Sequence, residues 1–158
     1  MTDNRIIELR NDVFLKEVCK LINEGHKVTL RVKGRSMRPF LEDRRDLIVL
    51  TQVTNPQVGD AVLAEIHPGT YVFHRIIRIK GQHVTLKGDG NVQGTEECTL
   101  NNIVAATDQL IRKGKTYSPQ GRIWRWYSIL WPKWPFARRV LLYIYRRAIL
   151  HTKLYSKL

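Results

Sequence analysis

The sequence has few of the residues that build metal centres or disulfide frameworks. Only two of its 158 residues are cysteines, Cys19 and Cys98, and they lie far apart without any metal-ligand spacing. No constellation of histidine, cysteine and carboxylate residues suggests zinc. We therefore expect two reduced structural thiols and a protein that works without a metal or an organic cofactor.

Long apolar runs are also missing. No stretch approaches the ~20 consecutive apolar residues that a transmembrane helix requires. Residues 1–24 carry five acidic residues among periodic apolar ones, where a signal peptide would have an apolar core. The sequence thus predicts an N-terminal amphipathic helix over residues 1–26, no signal peptide, no membrane-spanning helix, and a cytoplasmic location peripheral to the inner membrane surface.

Acidic residues are absent from the last 50 residues of the chain. All 14 lie at or before Asp108, whereas 12 of the 27 lysines and arginines follow Leu110, so the formal net charge of +13 is concentrated at the C-terminal end. The same segment holds all four tryptophans, Trp124, Trp126, Trp131 and Trp134. Residues 114–158 are therefore predicted to form a basic helical tail.

Within this tail we predict a helix from about Phe136 to about Leu150. One side of it carries apolar residues, and the other carries four arginines: Ala137, Val140, Leu141, Ile144 and Ala148 against Arg138, Arg139, Arg146 and Arg147. This pattern is typical of a segment that lies on an anionic membrane surface. Packing of the apolar side onto the protein itself, or binding of nucleic acid, would use the same residues.

Between the two ends the chain shows short, turn-bounded segments that favour strands. These are Val28–Lys33, Asp46–Leu50, Ala61–Ile66, Tyr71–Lys80 and His83–Lys87. Their spacing predicts a mainly β fold, a twisted antiparallel β domain over residues 27–113. With 43% hydrophobic and 26% charged residues, the chain has the composition of a globular protein.

A serine stands directly after the first of these strands, in the run Gly34-Arg35-Ser36-Met37-Arg38-Pro39-Phe40. Gly34 interrupts the strand and Pro39 prevents its continuation, so the Ser36 hydroxyl should lie on a short exposed turn. A serine hydroxyl is a weak nucleophile unless a neighbouring base removes its proton. The sequence must therefore supply a base from elsewhere.

His74 is the best candidate for that base. It shares a strand face with Val72 and Ile76, which would hold the imidazole in its neutral form. Asp89 lies in a glycine-rich turn farther on, where its carboxylate would be within reach of His74. Ser36, His74 and Asp89 are thus predicted to form a Ser/His/Asp arrangement.

Four blocks in a fixed order carry a family resemblance: Gly-x-Ser-Met-x-Pro-x-Leu from Gly34, Val58-Gly59-Asp60-Ala61-Val62, His74-Arg75-Ile76 and Lys87-Gly88-Asp89-Gly90-Asn91. Together they resemble the type I signal peptidase superfamily, which includes the self-cleaving domains of LexA-like repressors. Bacterial signal peptidases have a lysine where this chain has His74, and the endoplasmic-reticulum and archaeal-like branch has histidine there. Family members often carry a serine two residues before the nucleophile, where this chain has Gly34.

The resemblance implies a serine endopeptidase with Ser36 as nucleophile, His74 as base and Asp89 assisting. Its substrate would be a leader or signal-type peptide, and its tail would bind an anionic membrane surface. Two alternatives keep the same fold: a catalytically weak or inactive adaptor for peptides or membranes, and a self-cleaving regulator associated with nucleic acid. No Ala-Gly or Cys-Gly pair of the repressor kind precedes Ser36, which favours the peptidase.

Overall fold

A computed structural model describes residues 7–8, 12–131 and 133–155. Three helices lie at the two ends of the described chain: α1 (Asp12–Asn23), α2 (Arg122–Leu130) and α3 (Pro135–Tyr155). Between and before them run nine strands: β1 (Ile7–Glu8), β2 (Val28–Arg31), β3 (Leu47–Thr51), β4 (Ala61–His67), β5 (Thr70–Lys80), β6 (His83–Lys87), β7 (Glu96–Thr99), β8 (Ile103–Arg112) and β9 (Lys115–Tyr117). A single 3-10 turn at Leu100–Asn102 separates β7 from β8.

The described strands form one sheet in the order β1-β2-β3-β8-β4-β5-β6-β7, with β9 paired to β8. Every pairing is antiparallel except that of β1 with β2. The predicted mainly β fold with an N-terminal helix and C-terminal helices is therefore confirmed. The division of the chain at residues 26/27 and 113/114 stays a prediction.

Apolar side chains are buried on both faces of this sheet. On one face Val18 and Ile22 of α1 pack with strand residues such as Leu30 and Ile48. The other face buries a second cluster that includes Ile76 and Leu86. Successive residues of β4 enter the two clusters alternately, because side chains in a strand point to opposite faces. β4 is therefore packed on both faces of the sheet, and it pairs directly with β5.

The N-terminal helix is shorter than the sequence predicts. It begins at Asp12, and Ile7–Glu8 instead forms a parallel strand paired with Leu30 and Arg31 of β2. A β-branched isoleucine beside an open strand edge gains more from pairing than from a helical turn. The remaining residues of the segment 1–11 lie outside the described ranges.

The two C-terminal helices are separated by a break around Trp131, as the two prolines of this region predict. One detail of the prediction is wrong: Arg138 is buried against the β domain, whereas Arg139, Arg146 and Arg147, predicted on the same side of the helix, are exposed. Among the described residues, none of the helices is long and apolar enough to cross a membrane.

Candidate active site

Ser36 lies on a turn that leaves strand β2. Apolar neighbours anchor this turn from below, since Met37 and Phe40 are buried in the core. The Gly34 N–H donates to Asp43 Oδ1 at 2.8 Å, and the Ser36 carbonyl accepts from the Gly90 N–H at 2.7 Å. The backbone of the serine is thereby fixed, while its hydroxyl makes no hydrogen bond to any residue that the structure describes.

His74 lies on β5, directly opposite Val62 of β4, and is only 5% exposed. Its Nδ1 is 2.8 Å from Oε2 of Glu96, the first residue of β7. A carboxylate at Nδ1 favours the tautomer in which Nδ1–H donates and Nε2 keeps its lone pair. The ring is therefore oriented as a general base requires, with Nε2 as the proton acceptor.

Gly88 brings the ring of His74 and the serine turn together. A Cβ atom added at Gly88 would lie 3.0 Å from His74 Nε2 and 2.5 Å from the Ser36 carbonyl oxygen. The His74 Nε2 atom and the Ser36 carbonyl oxygen therefore both lie beside the Cα atom of Gly88, and a residue with a side chain at position 88 would clash with them. This contact shows that Nε2 faces the Ser36 turn.

Ser36 and His74 open onto one pocket of about 340 Å³. Its wall is mostly apolar, and Lys33 and the phenol of Tyr71 add polar groups to it. The apolar lining residues are Leu15, Val32, Met37, Ile48, Leu63, Val72 and Phe73. Burial raises the pKa of Tyr71 to about 12, so its phenol stays neutral beside the pocket. A pocket of this size and lining accepts an apolar side chain next to the serine hydroxyl.

The edge of the sheet beside this pocket is partly open. β6 pairs with β5 only from Arg75 onward, so in the described chain residues 70–74 of β5 have a strand neighbour on one side, β4. An extended peptide can add to such an edge through its main chain. The pocket residues Tyr71 and Phe73 lie on this stretch.

Comparison with known proteins gives one family. Residues 3–107, about two thirds of the chain, match the family model described as Peptidase S24-like. The chain belongs to the Peptidase S24-like family. The match spans the serine turn, His74 and Glu96, and it ends before the helical tail. No curated protein gives a significant match to the chain.

Membership of the Peptidase S24-like family supports a serine-peptidase-like fold. The resemblance stated from the four sequence blocks is confirmed at this level. Within the described ranges, no group of three or more histidine, cysteine, aspartate or glutamate side chains lies close enough to bind a metal ion. Both Cys19 and Cys98 are free thiols, and burial raises the pKa of each.

The structure does not bring Asp89 to His74. Both carboxylate oxygens of Asp89 bind the guanidinium of Arg75, at 2.8 Å from Nε and 2.7 Å from Nη2. This bidentate geometry is the one that a guanidinium prefers. The Tyr127 hydroxyl donates to the same carboxylate at 2.9 Å. Asp89 is 2% exposed, and in this Peptidase S24-like chain it links β5 to the tail.

Further contacts join the tail to the same turn. Trp131 Nε1 donates to the Asp89 carbonyl at 3.0 Å, and Arg138 Nη1 donates to the Asn91 carbonyl at 2.9 Å. Burial, with the neighbouring Asp89 carboxylate, raises the pKa of Tyr127 well above its ordinary value of 10.0, so the phenol keeps the proton that it donates. The backbone of residues 88–91 is therefore braced from the side opposite His74.

Glu96 is a residue of the candidate site that the sequence does not reveal. It opens the segment Glu96-Glu97-Cys98-Thr99, whose paired acids are unusual in a strand, and no strand is predicted there. In the structure Glu96 pairs with Leu86 of β6, which places its carboxylate beside the histidine of β5. The position of Glu96 beside His74 could be predicted only from the pairing of β6 with β7.

Proposed function

We propose that this protein is a serine endopeptidase in which Ser36 attacks the scissile carbonyl and His74 takes the proton of its hydroxyl. The observation that carries the proposal is that Ser36 and His74 open onto one apolar pocket while Glu96 holds the far side of the imidazole. Glu96 keeps Nδ1 protonated and stabilises the imidazolium that forms during attack. His74 then returns the proton to the leaving amine, and water releases the acyl group.

The oxyanion of the tetrahedral intermediate would be held by backbone groups. Gly34 offers no hydroxyl, and the Ser36 N–H donates no hydrogen bond to any described residue. That N–H lies on a turn fixed by the Gly34–Asp43 and Ser36–Gly90 contacts. Preorganised donors of this kind are each worth about 100- to 1000-fold in rate.

The proposed substrate is an extended leader or signal-type peptide. Its main chain would pair with the open edge of β5 at residues 70–74, and one apolar side chain would enter the pocket. Recognition through main-chain hydrogen bonds and one apolar pocket selects an accessible, extended segment.

A peptide library that varies one apolar side chain tests the proposal, with cleavage read by mass spectrometry. We expect cleavage after medium-sized apolar residues by the full chain and none by Ser36→Ala or His74→Ala. Labelling of Ser36 by an activity-based serine probe gives a second readout that needs no substrate. If the chain neither cleaves the peptides nor reacts with the probe but still binds peptide, it is a binding adaptor and the proposal is wrong.

The same experiment separates self-cleavage from turnover of another substrate. The intact mass of the purified chain is compared with that of Ser36→Ala after prolonged incubation. A shortened product that forms only with Ser36 present, at a rate independent of protein concentration, would establish cleavage within the chain. We expect the two intact masses to agree with their sequences.

A further inference from the structure

The two C-terminal helices turn their apolar side chains away from the protein. Of the twelve large apolar side chains that are exposed in the described part of the chain, ten lie after Gly121. They are Ile123, Trp126, Ile129, Leu130, Trp134, Phe136, Val140, Leu141, Tyr143 and Ile144. Trp134 is 79% exposed and Phe136 is 78% exposed. Such a concentration marks a contact surface, because scattered single residues would need no explanation.

The opposite side of the same helices packs against the β domain through aromatic and polar contacts. On α2, Trp124 is buried and packs edge-on against Phe40 at 5.0 Å between ring centroids. On α3, Arg138 and Leu142 are buried, and the Tyr145 hydroxyl donates to Glu42 at 3.2 Å. The exposed apolar side chains are therefore not available to the core of this chain.

Basic residues lie among these apolar side chains. Arg122, Arg125, Lys133, Arg139, Arg146 and Arg147 are exposed on the tail. The tail carries no acidic residue, because the last one in the sequence is Asp108. Its outer face therefore combines exposed tryptophan and aliphatic side chains with uncompensated positive charge, the combination expected of an interfacial helix.

We propose that the outer face of α2 and α3 docks onto the surface of an anionic lipid bilayer. Phospholipid headgroups would contact the arginines, while Trp126, Trp134 and their aliphatic neighbours enter the interface. The tail lies on the membrane and does not cross it, since none of the described helices meets the requirements of a span. This proposal is independent of the peptidase chemistry, because the tail lies beyond the family match at residue 107.

Charge and side-chain type favour lipid over two other occupants. Single-stranded nucleic acid gains from arginines and aromatic rings, but aliphatic residues such as Ile129, Leu130 and Ile144 give no stacking surface. A second copy of this chain would bring two acid-free basic surfaces together, with repulsion on both sides of the contact. An anionic bilayer satisfies both the charge and the apolar area.

Sedimentation of the full chain with vesicles tests the proposal. Vesicles of phosphatidylcholine with phosphatidylglycerol are compared with vesicles of phosphatidylcholine alone. We expect binding to the anionic vesicles that weakens with salt, and a blue shift of the tryptophan fluorescence. Arg139→Gln with Arg147→Gln should weaken binding about 25-fold, because each charge contributes about fivefold. Trp126→Ala with Trp134→Ala should weaken it about tenfold or more, including at high salt.

Matched controls come from the sheet. Arg78→Gln with Lys80→Gln makes the same charge change at two exposed positions of β5 and should leave binding nearly unchanged. Ile77→Ala removes an exposed apolar side chain outside the tail and should also have little effect. All of these sites are exposed, so circular dichroism should show unchanged folding for every variant.

Four outcomes would overturn the proposal. They are equal binding to neutral and anionic vesicles, equal losses in the sheet controls, tighter binding to single-stranded oligonucleotides than to anionic vesicles, and a stable dimer that protects Trp134 from quenching without lipid. None of these results depends on catalysis. A membrane-bound but inactive protein would therefore be distinguished from an active one that stays in solution.

Discussion

Glu96→Gln is the substitution that most directly tests the catalytic arrangement. The change removes the negative charge 2.8 Å from His74 Nδ1 and leaves an amide oxygen that can still accept from the ring. A hydrogen bond to a charged group contributes about 1.5–3 kcal/mol. Because the Glu96 side chain is 25% exposed, solvent screening places the effect in the lower half of that range. We therefore expect kcat/KM to fall about 10- to 45-fold.

The split between kcat and KM carries the diagnostic information. Because the Glu96 carboxylate would stabilise the imidazolium that forms during attack, its removal should lower kcat and leave KM nearly unchanged. A purely structural role of Glu96 would change KM and the thermal midpoint as well.

Glu97→Gln is the matched control. Glu97 is the exposed neighbour of Glu96 on β7, and its carboxylate accepts from the Thr85 hydroxyl at 3.0 Å. The same loss of charge there should leave kcat/KM within about twofold, since an exposed charge contributes little. A wild-type rate in Glu96→Gln, or equal losses in the two variants, would refute the role of Glu96.

Three further predictions concern the turn at Gly88 and the ionisable core. Asp89→Asn should lower the free energy of unfolding, measured in urea, by about 3–5 kcal/mol, because it leaves the buried Arg75 without its counter-charge. As a control, Asp108→Asn in the more exposed pair with Lys27 should lower the free energy of unfolding by less than about 1 kcal/mol. Gly88→Ala should lower kcat/KM about 100-fold by separating Ser36 from His74, whereas Gly81→Asn, in an open turn with a φ of 58°, should have wild-type kinetics. The free energy of unfolding should fall as pH rises from 10.0 to about 12, because the unfolded chain releases the Tyr71 proton at lower pH than the folded protein does. In Tyr71→Phe the free energy of unfolding should fall less steeply with pH in this window, and an equally steep fall would contradict the raised pKa of Tyr71.

The strands bounded by glycine or proline turns could be predicted from the sequence. Val28–Arg31, Ala61–His67 and His83–Lys87 differ by a few residues at most from their predicted bounds. Each combines β-branched or aromatic residues with a glycine or proline turn, so local preference and tertiary structure agree. Ser36 follows the first of these strands, and His74 lies on β5 between the other two.

The central strand β8 could not be predicted in the same way. Ala105, Ala106 and Asp108 have weak strand preference, and this part of the chain is extended because β3 and β4 pair with it from both sides. The contact between His74 and Glu96 could not be predicted from the sequence for a related reason. It depends on the pairing of β6 with β7, and pairing between strands leaves little trace in local sequence.

The partner of Asp89 was open to prediction in principle, because His74 and Arg75 are consecutive on one strand and must point to opposite faces. Gly88 and Asp89 are likewise consecutive, and the turn presents Gly88 to the imidazole and Asp89 to the guanidinium. A guanidinium offers two parallel donors to a carboxylate, whereas an imidazole offers one, so Arg75 is the stronger competitor for Asp89.

The same alternation makes β5 the attachment point of the tail. His74 faces the pocket that Ser36 lines, whereas Arg75 binds Asp89 and, through Nη1, the Ser128 hydroxyl of α2 at 2.7 Å. The guanidinium also lies 4.4 Å from the Trp124 ring centroid. A displacement of α2 would therefore act first on Arg75 and Asp89, and through the Gly88 backbone on the spacing of Ser36 and His74.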